Sequence, residues 1–404
     1  MKRHGVFPAI DGDALGKWAE DVIRIIHTAD VHLDACFARV GMGPAEGSRR
    51  RQSLRDMLHR ILQRAVEWPA HAVLISGDLF EHDRITRDTI TFLRAEFEAA
   101  APVPIFIAPG NRDPFVPGSP YATEVWPENV TIFSSPKWTA KALKNSALTV
   151  HGVGFDGPEP SVNPFGKLEV PVDDRIHVAI AHGAEKSATP LGKSLCAPFN
   201  AGVLSIPNLA YVALGHVHAM RLFEGEHGTR VQYSGSPEGL GFSDTGMRHY
   251  LEVEIDAQGA HVRPVACSKA TYSAHTIDCT GFSSTQEIVD AVRALPHEGA
   301  QTRIAQVTLT GIGRPEWRYE LDAMRARLAD DFEAVALVDA MRLPDDFEAL
   351  ARDCTSMGAF VARLNAELVD TTDLNRRRVL ERARELGLSA FRTAALPAVA
   401  PEKG

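Results

Sequence analysis

Five short apolar runs in the first half of the chain each end in a residue able to ligate a cation. Asp30 and His32 follow Val22–His27 as D-x-H, and Asp78 follows Ala72–Ser76 in the run Ser76-Gly77-Asp78. Asn111 follows Pro104–Ala108, inside Gly110-Asn111-Arg112-Asp113. His182 and Gly183 follow His177–Ala181. His216 and His218 follow Tyr211–Leu214, inside Gly215-His216-Val217-His218. The runs are mostly Val, Ile, Leu and Ala, the composition of strands covered on both faces. In an open α/β sheet, functional groups collect beyond the carboxyl ends of the strands. The pattern therefore predicts an α/β fold in which seven side chains converge on one crevice. The neighbouring glycines let the backbone turn sharply there.

Seven oxygen and imidazole donors exceed what one small ion needs. They suit two divalent ions that share a carboxylate. The mixed donor set fits Mn²⁺ best, with Fe²⁺ and Zn²⁺ as alternatives. Two ions roughly 3.5–4 Å apart can clamp a phosphate and share a water that attacks phosphorus in line. The isolated His27, His59, His71, His151 and His177 read instead as structural or surface residues. Five scattered cysteines (Cys36, Cys196, Cys267, Cys279 and Cys354) form no C-x-x-C pair, which argues against a disulfide framework and a thiolate zinc site.

Residues 1–21 read as a polar lead-in. Lys2, Arg3, Asp11, Asp13 and Lys17 interrupt any apolar stretch there, unlike a secretory signal. A domain over 22–270 alternates strand-like runs with helical patterns. Leu54, Leu58, Ile61, Leu62 and Ala65 recur at helical spacing, with Arg51, Arg55, Arg60 and Arg64 on faces read as solvated. Residues 152–170, rich in Gly and Pro, predict a long loop. Over 271–342 the order is β-α-β-α-β, which predicts a small α/β domain. Its strands are His275–Thr280, Ile304–Thr310 and Val335–Val338. One helix opens with a Ser284/Glu287 capping box, and the other carries Trp317, Leu321, Met324 and Leu328. Residues 343–404 turn helical.

The ordered set D-x-H, G-D, G-N, H and G-H-x-H resembles the signature of calcineurin-like metallophosphoesterases over about residues 22–220. His27–Leu33, Gly77-Asp78-Leu79-Phe80, Ala213–His218 and Ser234-Gly235-Ser236-Pro237 are similar to motifs of SbcD-type DNA repair exonucleases and their YhaO-like relatives. The resemblance implies a sandwich of two β-sheets flanked by helices, a small α/β capping domain and a helical C-terminal segment that contacts a partner. It implies one ion held by Asp30, His32, Asp78 and His218. The second would be held by Asp78, Asn111, His182 and His216, with Asp78 bridging. It also implies a DNA substrate, an SbcC-like coiled-coil ATPase as partner and a homodimer.

Two positions depart from that pattern. The family usually has histidine after the metal-binding asparagine, where this chain has Arg112. Arginine cannot donate a proton as an ordinary acid, but it can grip a phosphoryl oxygen and offset negative charge. The nuclease branch often has another histidine after Gly-Asp-Leu-Phe. Here Glu81 takes the nearest slot and His82 follows, so Arg112 and His82 are the candidate catalytic side chains. Three functions stay open. They are a DNA nuclease beside an ATPase, a phosphodiesterase or phosphatase for a small phosphorylated molecule, and a largely inactive metal-bound scaffold. The net charge of −9 does not favour binding by phosphate attraction alone, which keeps the second in play. The apolar runs are too short to span a bilayer, so a cytoplasmic protein with no membrane contact is expected.

Overall fold

The computed structural model describes residues 22–40, 42–188, 195–225, 227–296, 299 and 302–394. The polar lead-in lies outside them. The first strands are β1 (Ile23–Thr28), β2 (Ala72–Ile75), β3 (Ile105–Ile107) and β4 (Val130–Ile132). They are followed by β5 (Thr139–Ala142), β6 (Leu148–Gly152), β7 (Ile176–His182), β8 (Leu209–Gly215), β9 (Arg221–Glu224) and β10 (Arg230–Tyr233). Then come β11 (His249–Asp256) and β12 (Gly259–Ala266). They build two mixed sheets, ordered β12-β11-β1-β2-β3-β4 and β5-β6-β7-β8-β10-β9. The five apolar runs are β1, β2, β3, β7 and β8, and each pairs parallel with a neighbour.

Alternation along these strands explains why they read as unbroken apolar runs. In β7, Val178 and Ile180 face a core shared with Ile25, Leu74, Phe106, Tyr211 and Val253 of both sheets. Ala179 and Ala181 face the opposite way, onto Leu204, Val212 and Leu214. Both faces are therefore covered, as a central parallel strand requires. Helices α1 (Pro44–Glu67) and α2 (Arg87–Ala99) cover the other side of the first sheet through Leu54, Leu58, Ile61, Leu93 and Phe97. Three arginines on the polar faces of α1 make specific bonds. Arg55 bonds Asp88 and Thr89, Arg60 donates to the Cys267 carbonyl, and Arg64 pairs with Glu252. A single turn, α3 (Pro120–Thr123), follows β3.

The later elements begin with β13 (Ala270–Asp278), α4 (Thr285–Arg293) and β14 (Thr302–Thr310). They continue with α5 (Leu321–Arg327) and β15 (Ala334–Asp339). The strands form a sheet ordered β13-β14-β15. The helix expected through Trp317 and Leu328 is split. Pro315–Tyr319 forms a 3₁₀ turn, whose closing bond from the Glu320 N–H to the Trp317 carbonyl separates it from α5. The chain divides into two compact units. Among the described residues, the first holds 22–276, Val289–Thr308 and Ala323–Val338; the second holds Ile277–Ile288, Leu309–Asp322 and 339–394. Within the second, α6 (Phe347–Leu350), α7 (Ser356–Asp370) and α8 (Leu374–Ala394) follow in turn. Thr355 caps α7 by accepting from the Gly358 N–H, and Phe360 of α7 meets Phe391 of α8 at 5.6 Å. No helix among the described residues is long and apolar enough to cross a membrane.

Two of the isolated histidines, His27 and His151, are buried and set a pH dependence. His27 is fully buried, with Nδ1 2.8 Å from the Tyr211 hydroxyl and Nε2 3.2 Å from Ser76 Oγ. Burial lowers its pKa to about 3. Burial, and then the neighbouring His177, lowers His151 to about 4. An unfolded histidine titrates near pH 6.5. Below that pH the unfolded chain takes up protons that the folded chain refuses, so stability falls as pH falls. At about 1.4 kcal/mol per pH unit, His27 alone should remove ~2 kcal/mol between pH 6.5 and 5. His151 should act in the same direction. Urea unfolding at pH 7 and pH 5 checks this. The loss should shrink by about that amount in His27→Gln, and an unchanged loss would refute the assignment.

Candidate metal centre

The backbone of this region is unusual before any side chain is considered. Asp30, His32, Asp78 and His216 all adopt positive φ, at 54°, 52°, 52° and 104°. Non-glycine residues rarely sit there, and such strain persists where the surrounding structure enforces it. The loops brace one another to hold it. Asp30 accepts the His216 N–H on both carboxylate oxygens, at 3.0 Å each. The Asp30 N–H donates to the Gly77 carbonyl, and the His32 N–H to the Asp78 carbonyl. Buried Asp113 accepts the N–H groups of Asp78, Leu79 and Gly110 and the hydroxyl of Tyr121. The last residue of the Gly-Asn-Arg-Asp run is thus a brace between two ligand loops. Glycine is required at two contacts. A Cβ on Gly77 would lie 2.5 Å from His182 Nδ1, and one on Gly110 would lie 2.5 Å from Asp78 Oδ1.

These loops bring all seven predicted ligands together. One ligand atom each from Asp30, His32 and His218 lie within 4.8 Å of one another, as do atoms of Asp30, Asp78 and His182. Asp78 reaches in both directions, with Oδ2 3.7 Å from His32 Nε2 and Oδ1 3.5 Å from His182 Nε2. Asn111 Oδ1 lies 3.0 Å from His182 Nε2 and 3.2 Å from His216 Nδ1. One of these donors is left for a cation. His32 Nε2 is buried, faces the cluster and has no hydrogen-bond partner. Burial pulls the His32 pKa down, but Glu81, Asp78 and Asp30 outweigh it and raise it to about 9. The pocket thus favours a positive charge at that nitrogen. Burial and the nearby His182 lower His216 to about 3, the neutral form that ligates.

Residues 23–220 match the calcineurin-like phosphoesterase family. This stretch is a calcineurin-like phosphoesterase domain. Hydrolysis of phosphoesters is the chemistry of that family, and Asp30, His32, Asp78, His182 and His218 form the groups here that could hold a metal ion. The chain is 24% identical to the metallophosphoesterase YhaO of Bacillus subtilis over 323 residues, 78% of this chain and 77% of the relative. It is also 24% identical to the DNA double-strand break repair protein Mre11 of Methanopyrus kandleri over 270 residues, 60% of this chain. That match spans about half of the Mre11 protein, at 52%. A solved dimetal phosphatase from Danio rerio aligns over its whole length and 62% of this chain, with 11% identity and a TM-score of 0.40.

Around the phosphoesterase centre the structure adds residues that the motifs do not show. Glu81 Oε1 lies 2.7 Å from His32 Nδ1, which holds the Glu81 carboxyl below its usual range against the opposing effect of burial. Asp244 lies 3.1 Å from His218 Nδ1 and is held low in the same way. Arg248 donates to the carbonyls of His218 and Ser236. The Ser236 N–H also donates to the His218 carbonyl, so Ser234-Gly235-Ser236-Pro237 backs the G-H-x-H loop. Beside His32 and His218 opens a cavity of about 570 Å³, walled by Phe37, Leu240 and Phe242. Arg112 and Arg84 line it. His82 is not among its lining residues. The His82 N–H donates to the Arg112 carbonyl, and its Nδ1 is buried without a hydrogen-bond partner.

Proposed function

We propose that this chain hydrolyses DNA phosphodiesters with two divalent cations, Mn²⁺ being the best match to the donors. The observation that carries the reading is Asp78, whose two carboxylate oxygens lie toward the histidines of the two clusters. Asp30, His32, Asp78 and His218 would hold one cation; Asp78, Asn111, His182 and His216 would hold the other. Bound cations there would neutralise phosphoryl oxygens and make a shared water more acidic. Arg112 is exposed at the cavity, and its N–H donates to Asp78 Oδ1 at 2.8 Å. That bond fixes its backbone while the guanidinium remains able to clamp a phosphoryl oxygen and offset developing charge. His82 would need to swing into the cavity to donate a proton, so Arg112 is the side chain assigned to substrate. The DNA reading draws on the resemblance to SbcD-type nucleases and on the partial match to Mre11. An SbcC-like ATPase, contacted through the C-terminal helices, belongs to the same reading.

Incubating the purified chain with Mn²⁺ and linear DNA tests this. Released nucleotides support it. Turnover of small phosphoesters with DNA left intact selects the second reading, which the net charge of −9 favours. Arg112→His should keep both cations and raise turnover on DNA at least ~10-fold, because a positioned acid is typically worth ~10²–10⁴. If it abolishes turnover with both cations retained, Arg112 is instead a contact evolved for a different substrate.

A further inference from the structure

We infer that Glu81 and Asp244 are positioning residues that make the two cation positions unequal, so that the ion held by Asp30, His32 and His218 binds first and tightest. The inference rests on the two-cation reading and adds an order of affinity to it. The asymmetry lies one layer behind the ligands. His32 is backed by a carboxylate, with Nδ1 2.7 Å from Glu81 Oε1. So is His218, with Nδ1 3.1 Å and 3.3 Å from the two oxygens of Asp244. Each carboxylate fixes the ring with Nδ1–H as donor and leaves Nε2 for the site, and it makes the imidazole a stronger donor. The other position has no such support among the described contacts. His182 donates its Nδ1–H to the neutral carbonyl of Ser76 at 2.9 Å. His216 Nδ1 meets Asn111 Oδ1 at 3.2 Å, and both of those atoms belong to the ligand set itself.

Charge points the same way. Asp30 and Asp78 face the first position directly, with Glu81 and Asp244 behind it. Asp30 and Asp78 also reach His182 at the second position, but its remaining oxygen donor is a neutral amide and neither Glu81 nor Asp244 stands behind it. Asp244 is also anchored: it is buried and accepts the Leu240 N–H at 3.1 Å. Glu81 is partly open to the cavity, so it can be replaced without disturbing the core.

Titration of the cation-free protein with Mn²⁺ by calorimetry, alongside electron paramagnetic resonance, tests the inference. Wild type should bind two ions with distinct affinities. Glu81→Ala should weaken one of them ~10–100-fold, the range seen when such partners are removed. The other should stay unchanged, and the spectrum should shift from a coupled pair toward a single ion at intermediate Mn²⁺. Glu81→Gln keeps an acceptor for Nδ1–H and should recover part of the loss. Asp244→Asn should weaken the same ion. If both ions weaken together, if neither does, or if the two substitutions weaken different ions, the inference is overturned while the two-cation reading stands. If wild type binds fewer than two ions, the reading itself fails. Should Asp244→Asn not fold, the Glu81 pair alone decides.

Discussion

Asp78→Ala is expected to empty both cation positions and reduce phosphoester hydrolysis by more than ~10³. That factor corresponds to about 4 kcal/mol of barrier, within the several kcal/mol that metal ions supply to a transition state. Asp30 reaches both clusters too, but Asp78 turns a separate oxygen toward each, 3.7 Å from His32 Nε2 and 3.5 Å from His182 Nε2. Asp78 also accepts the Arg112 N–H, so its loss frees the loop that carries Arg112. Alanine at φ 52° is itself strained, which could confuse a ligand effect with misfolding. Asp78→Asn removes that ambiguity, because asparagine tolerates a positive φ and keeps the shape while losing the charge. Both variants should fail alike, whereas Asn111→Ala should lose one ion and keep the other. Elemental analysis after gel filtration counts the ions, and bis-p-nitrophenyl phosphate reports turnover. A folded Asp78→Asn protein that keeps two ions and activity within tenfold would sink the bridging role.

The convergence of the seven candidate ligands was legible because ligation is a demand on residue type at the end of a strand, and that demand stays local in sequence. Gly77 and Gly110 mark the same turns for a visible reason: any side chain there would strike His182 or Asp78. What lies behind the ligands was not legible. Asp244 meets His218 across a loop, and nothing in a Ser-Asp-Thr-Gly stretch distinguishes a brace from a turn. Glu81 stood out only as a departure from a histidine, and its role depends on a contact with His32 that spacing cannot give. The arginines of α1 show the same limit. An amphipathic pattern states which face is polar, but not that Arg64 will find Glu252 on a distant strand. The antiparallel β11 and β12, which extend the first sheet beside β1, were likewise hidden by alternating composition. Long-range pairing decides such features, and a single sequence does not record it.

The largest stability effect is expected at Arg50 and Glu238, a pair the helical pattern also concealed. Their side chains are 1% and 0% exposed and form a direct ion pair between α1 and the segment after Ser234-Gly235-Ser236-Pro237. Glu238 also accepts the N–H groups of Lys269 and Ala270, which anchors the start of β13. Arg50 packs against the Tyr272 ring and lies 3.7 Å from Glu333. A buried pair gains little over apolar residues of the same shape, because desolvation offsets the attraction. Breaking it is different. Arg50→Met leaves the Glu238 charge buried without its partner and should cost ~3–5 kcal/mol. Glu238→Gln should be similarly damaging, since it leaves the guanidinium only the more distant Glu333 and gives one amide oxygen for two N–H groups that bond separate oxygens in the native protein. The double variant removes both charges and should recover to within ~2 kcal/mol of wild type, far from the sum of the singles. Urea midpoints for the four proteins complete the cycle. Simple additivity would mean that the two charges are independently solvated, contrary to the buried geometry.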